Sequence, residues 1–123
     1  MQGKTRDNSL PVYDPALATR VAGGNPQTAA DLLALFLREL PMQEEALHEA
    51  FAAADLKQLR EVSHRLNGSA TYCAMPALRA ATQALQAVPP GASTDQIGPA
   101  YRQVLEEIHR IQAAGLTRRP AAG

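Results

Sequence analysis

Five helix-start signals spread over 123 residues constrain this chain to a set of short-linked helices. Asp14-Pro15 and Asn25-Pro26 each place an N-cap side chain before a proline, whose missing N–H costs nothing in a first turn. Asp55 with Gln58, and Ser93 with Gln96, have the three-residue spacing of a capping box. Met75-Pro76 puts another proline at the first turn of a helix. Stop signals fall between the starts, at Gly23-Gly24 and at Pro89-Pro90-Gly91.

Each interval carries apolar residues at helical spacing. The second helix has Leu33, Phe36, Leu40, Leu47, Phe51 and Ala54; the third has Leu59, Val62, Leu66, Ala70 and Cys73. The fourth buries Leu78, Ala81, Leu85 and Val88, and the last Ile97, Tyr101, Val104, Leu105, Ile108 and Ile111. Pro41 falls inside the second stripe, where it removes a backbone bond to Leu37. The stripe keeps phase across it, which favours one kinked helix over two. With 46% apolar residues and only three Tyr and two Phe, the core is aliphatic and suits helix packing. The expectation is all-α: an antiparallel up-down four-helix bundle with a short extra N-terminal helix. Residues 1–12 read as a flexible arm or linker, 13–116 as the domain, and 117–123 as a frayed tail.

Several function classes drop out. Twelve basic and twelve acidic residues give no net charge, so there is no basic field for nucleic acid. One cysteine, Cys73, permits no internal disulfide, and its place on the core stripe makes it a small hydrophobe rather than a nucleophile. The start MQGKTRDNS lacks an apolar signal core, and no run approaches a membrane span. His48 and His109 sit on different helices without H-x-x-H or Cys/His spacing, so no protein-only zinc site is expected. No Gly-rich phosphate loop exists, and nothing points to a Ser-His-Asp site.

The third helix carries the chemistry. At about 100° per residue, His64 lies opposite the core stripe, with Lys57, Arg60, Glu61, Asn67, Gly68 and Thr71 on its side. Gly68, one turn on, costs about 1 kcal/mol relative to alanine in a helix. Its bareness opens a path for another protein to reach the imidazole; the plain alternative is that Gly68 ends the helix as a C′ residue.

The run H-x-L-x-G-S at His64–Ser69, then Tyr72, Ala74 and Pro76, resembles the histidine-phosphotransfer (HPt) domains of bacterial phosphorelays, whose motif is commonly H-x-L-K-G-S/A-(x)-G-A. The resemblance spans about Leu10 to Leu116. With the upstream VAGGNPQTAADLL, it looks closest to the HPt domain of BarA/GacS-type hybrid sensor kinases. It implies that His64 is the phospho-accepting nucleophile, through its outer ring nitrogen. His64 would take the group from an aspartyl phosphate on the receiver domain of a hybrid sensor kinase and pass it to an aspartate on a response regulator's receiver. A neutral imidazole needs no separate base for this, and phosphoryl transfer is mostly positioning and charge stabilisation. No cofactor is implied for this domain; Mg²⁺ belongs to the receiver. The resemblance also implies a cytoplasmic monomer without kinase activity of its own, at the cytoplasmic end of an inner-membrane sensor if the chain is a fragment. In the family a polar residue on the fourth helix bonds the phosphohistidine ring. Gln86 matches it best by spacing and Gln83 next, against the plain reading of both as a solvated face.

Two positions depart from the motif. Asn67 stands where the motif has Lys, and Ala74 where it has the later Gly. Loss of a cation there would weaken charge support, for which Arg65, Arg60 or Lys57 are the candidates to compensate. Two other classes remain. A kinase dimerisation helix pair also bears a phospho-accepting His, but usually with an acidic residue next, where this chain has Arg65. A bundle adaptor would bind receivers without transfer.

Overall fold

The computed structural model describes residues 10–116, so most of the expected arm and all of the expected tail lie outside the described residues. Five helices follow in order: α1 Pro15–Val21, α2 Pro26–Ala52, α3 Leu56–Tyr72, α4 Pro76–Gln86 and α5 Thr94–Ala113. Every start signal named above opens one of them. The Asp14, Asn25 and Asp55 side chains accept from first-turn N–H groups, and Ser93 with Gln96 closes a reciprocal capping box.

The helices α2 to α5 close into a bundle, with α3 packed on α2 and α4, and α5 on α4 and α2; α1 lies on α2. The α2–α3 pair is antiparallel and keeps one register throughout. Asp55 N–H donates to the Ala50 carbonyl at the turn, and the Cys73 thiol reaches the Leu32 carbonyl at the far end. The core runs from Leu33 to Ile111 and holds most of the expected stripes; Phe51, Val88 and Leu105 are half-buried at its edge, and Ala50 and Met75 join it. Leu47, Val62, Met75, Leu78, Val104 and Ile108 have no exposed surface.

Pro41 stays inside a continuous 27-residue α2, in line with the unbroken stripe. Ala54 does not extend that stripe: it is exposed, beyond the helix, at φ 54°. Its left-handed conformation lets Asp55 N–H reach back to Ala50 and end α2. The same device ends α3, where Ala74 at φ 58° lets Met75 N–H reach the Ala70 carbonyl. Ala74 thus occupies the position for which glycine is the natural residue, because a Cβ there crowds the backbone.

Of the expected arm, residues 10–12 are described, and they lie against the domain rather than away from it. The Pro11 carbonyl accepts from Ala77 N–H, Asp14 N–H donates to the Ala74 carbonyl, and Val12 packs on the core. No helix among the described residues is long and apolar enough to cross a membrane.

Candidate functional site

His64 sits exposed in the middle of α3, away from Leu59, Val62, Leu66 and Ala70, which pin the helix to the core. Gly68 is inside the helix, four residues before its end, so it is not a C′ residue. A Cβ built on it would meet nothing within 4 Å. The space beside the imidazole is therefore open, and neither close packing nor backbone conformation requires a glycine there.

Two contacts set how α4 runs past His64. Near one end Asn67 Nδ2 donates to Thr82 Oγ1 at 3.0 Å and to the Arg79 carbonyl at 3.3 Å. Near the other the Arg60 guanidinium donates to the Val88 carbonyl. His64 lies between these anchors, so the stretch of α4 alongside it is the turn holding Gln83 and Gln86. Gln83 is exposed; Gln86 is half-buried, and its Nε2 is buried with no partner. Ser63 Oγ and Arg60 Nε are the other buried polar atoms without partners among the described residues. All three belong to the α3–α4 seam beside His64, where burying a polar atom without a partner costs about 1–3 kcal/mol.

The cations separate. Arg60 is spent on α4, so it is not a free charge for the His64 face. Lys57 and Arg65 are exposed. Asn67 is half-buried and ties α3 to α4 through Thr82, a fully buried threonine that sequence reasoning passed over. Nothing in the local sequence marks Thr82; only the register with Asn67 gives it a role.

Sequence reasoning also separated His48 from His109. They are on different helices, yet both rings reach Glu44: His109 Nε2 donates to Glu44 Oε2 at 2.7 Å, and His48 Nε2 lies 3.7 Å from the same oxygen. The Tyr101 hydroxyl is hydrogen-bonded to His48 Nδ1 at 3.0 Å. This knot ties α2 to α5. Among the described residues no group of three or more His, Cys, Asp or Glu side chains is arranged to hold a metal ion.

The bundle sets His64 exposed at the middle of α3, one turn from the bare Gly68, and residues 31–114 match the Hpt domain family. The chain belongs to that family. Within it, the chain is 45% identical over 74 residues to the sensor histidine kinase GacS of Pseudomonas protegens, covering 60% of this chain and 8% of that protein. It is 27% identical over 105 residues to the signal transduction histidine-protein kinase BarA of Shigella flexneri, covering 85% of this chain and 11% of that one. The chain thus spans about a tenth of the length of these relatives. Its fold matches the HPT domain of a hybrid histidine kinase from Shewanella with a TM-score of 0.77 at 21% identity, over 84% of this chain and 89% of that one.

Proposed function

We propose that this chain is a phosphohistidine relay module, with His64 as the group that carries the phosphoryl. One observation supports this most: the family's histidine stands exposed at the centre of a helix whose opposite face is wholly buried. The lone pair of the outer ring nitrogen attacks phosphorus of an aspartyl phosphate on a receiver domain. The phosphorus–oxygen bond to the carboxylate breaks, and its electron pair remains on the carboxylate. A second receiver's aspartate then attacks the phosphohistidine, and the ring nitrogen leaves with its pair. The receivers contribute Mg²⁺ and the acidic pocket; this domain contributes a fixed, accessible nucleophile. Gln86, with an unpartnered Nε2, and Gln83 are the α4 groups suited to orient the ring or the phosphoryl; Arg65 and Lys57 are the free cations on α3. The module acts as a cytoplasmic monomer between a hybrid kinase's receiver and a response regulator's receiver.

The reading is tested by mixing the domain with a phosphorylated receiver and following label on His64. His64→Gln should abolish labelling while leaving helicity and Tm nearly unchanged, because the side chain is exposed. Label retained in that variant, on His48 or His109, would sink the assignment. The second reading is an adaptor that binds receivers without transfer. It is favoured by Asn67, which stands in place of the motif's cation and is turned into α4. Receiver binding by the wild type without any label on His64 would establish it.

A further inference from the structure

The three buried polar atoms without partners among the described residues, Arg60 Nε, Ser63 Oγ and Gln86 Nε2, fall at one level of the α3–α4 seam. The anchors Arg60–Val88 and Asn67–Thr82 run the two helices antiparallel in one register, which sets Gln86 level with Val62 and Ser63. At about 100° per residue, Arg60 and Ser63 flank the line along which Asn67 faces α4. Gln86 lies one turn beyond Thr82, on the face of α4 that meets Asn67. The Arg60 guanidinium is a rigid planar fork, in which the Nε and Nη2 hydrogens leave one edge side by side. Nη2 is on the Val88 carbonyl, so Nε is aimed into α4 as well, two residues from Gln86. Helix side chains lean toward the helix N-terminus. The His64 ring therefore leans over the turn that carries Arg60, at the level of Gln86.

With Gln86 Nε2 turned inward, the seam sets two groups that only donate, Nε2–H and Arg60 Nε–H, in one place. A carboxamide has the same outline either way round, and its hydrogen bonds alone tell oxygen from nitrogen. Turned over, it presents Oε1, with two lone pairs, to two donors. One is Arg60 Nε–H; the other is the Ser63 hydroxyl, brought round by rotation about one side-chain torsion. The same turn carries the Gln86 Nε2–H groups outward, to the side of the seam where His64 is exposed. We infer that Arg60 and Ser63 are positioning residues for the relay: they hold the Gln86 carboxamide by its oxygen, so that its N–H groups face the phosphoryl on His64. The inference rests on the relay reading. The phosphoryl is anionic and takes donors. A carboxamide free to turn would present its oxygen to that charge part of the time. Ser63 is fully buried, so it touches no receiver and its effect on transfer is internal to the domain.

The test follows labelling of His64 by phosphoramidate, which needs no receiver, together with nitrogen-15 NMR of the side chains. Gln86→Ala should slow labelling about tenfold, the loss of one hydrogen bond to a charged group. Ser63→Ala should slow it several-fold with Tm nearly unchanged. Arg60→Lys, which keeps the charge and a donor for the Val88 carbonyl, should do the same. In the Gln86→Ala background neither change should slow labelling further, because both act through that carboxamide. The Gln86 side-chain N–H signals should exchange quickly with water and shift when His64 is phosphorylated. The Arg60 Nε–H signal should exchange slowly in the wild type and faster in Gln86→Ala. Gln86 N–H signals that are protected and do not shift on phosphorylation overturn the inference, because Nε2 then faces inward. Variants that label at the wild-type rate, or that lose as much without Gln86 as with it, also overturn it and leave the relay intact. Should Arg60→Lys lose the fold, Ser63→Ala and the wild-type signals decide alone. A wild type that phosphoramidate does not label at His64 overturns the relay reading and the positioning with it.

Discussion

Two alanines and a glycine each hold a place that helix energetics would give to another residue. Ala54 and Ala74 both sit in the left-handed region, at φ 54° and 58°. Replacing a non-glycine residue there by glycine recovers about 1 kcal/mol. The two differ in surroundings. Ala54 is exposed, whereas the Ala74 methyl is buried against Ala18 and Ala29 and contributes about 0.8 kcal/mol of apolar burial. Ala54→Gly should therefore raise stability by about 1 kcal/mol, and Ala74→Gly should be close to neutral; urea unfolding of the two side by side checks the contrast. The departure from the family glycine is thus offset by the small core the methyl fills. Gly68 is the converse case, an α-helical glycine with open space above it. Gly68→Ala should gain up to about 1 kcal/mol. Gly68→Gln should fold, keep labelling by phosphoramidate, and lose labelling by a receiver. Normal receiver transfer by that variant would show that access does not depend on this position.

At the scale of the element, α2 is the test case. Pro41 is exposed, so its ring contributes little packing to offset the bond it denies to the Leu37 carbonyl. Pro41→Ala should stabilise the domain by about 1–3 kcal/mol, seen as a higher urea midpoint at unchanged slope. All five helices were legible in the sequence, because caps and prolines act locally and the stripes held their phase up to the helix ends, where Ala54 and Val88 fall outside. The place of His64 opposite Leu66 was legible for the same reason. What lay beyond reach was everything set by register between helices. Asn67 reads as a missing cation on a solvent face until Thr82 is seen against it. Arg60 reads as a spare charge until its guanidinium is found on the Val88 carbonyl. His48 and His109, 61 positions apart in the chain, share one carboxylate only because α2 and α5 lie side by side. Periodicity assigns a residue to a face; it does not say which neighbour that face meets.

For the molecule as a whole, α2 and α5 are joined by a polar knot over an aliphatic core. Burial acts to raise the Glu44 carboxyl, but hydrogen bonds from His109 and Gln112 and the charges of His109 and His48 outweigh it and hold the group below the ordinary carboxylate range. A lowered pKa in the folded state means stability that is fully present above the unfolded value, about 4.3, and lost as pH falls through the lowered one. Glu44→Gln should therefore unfold more readily at neutral pH, and its deficit should shrink as the pH is taken below 4; an undiminished deficit in acid would show that the knot acts by packing alone. The chain's single thiol sits at the other extreme of reactivity. Cys73 is buried, and burial pushes its pKa up to about 11. At pH 7 only about one molecule in ten thousand carries the thiolate that alkylating dyes attack. The protein therefore comes ready for site-specific spectroscopy without removal of its native cysteine. A second cysteine placed at an exposed position of α2 would take up a fluorophore or spin label almost alone, and the distance from that label to a labelled receiver would report how the two domains meet.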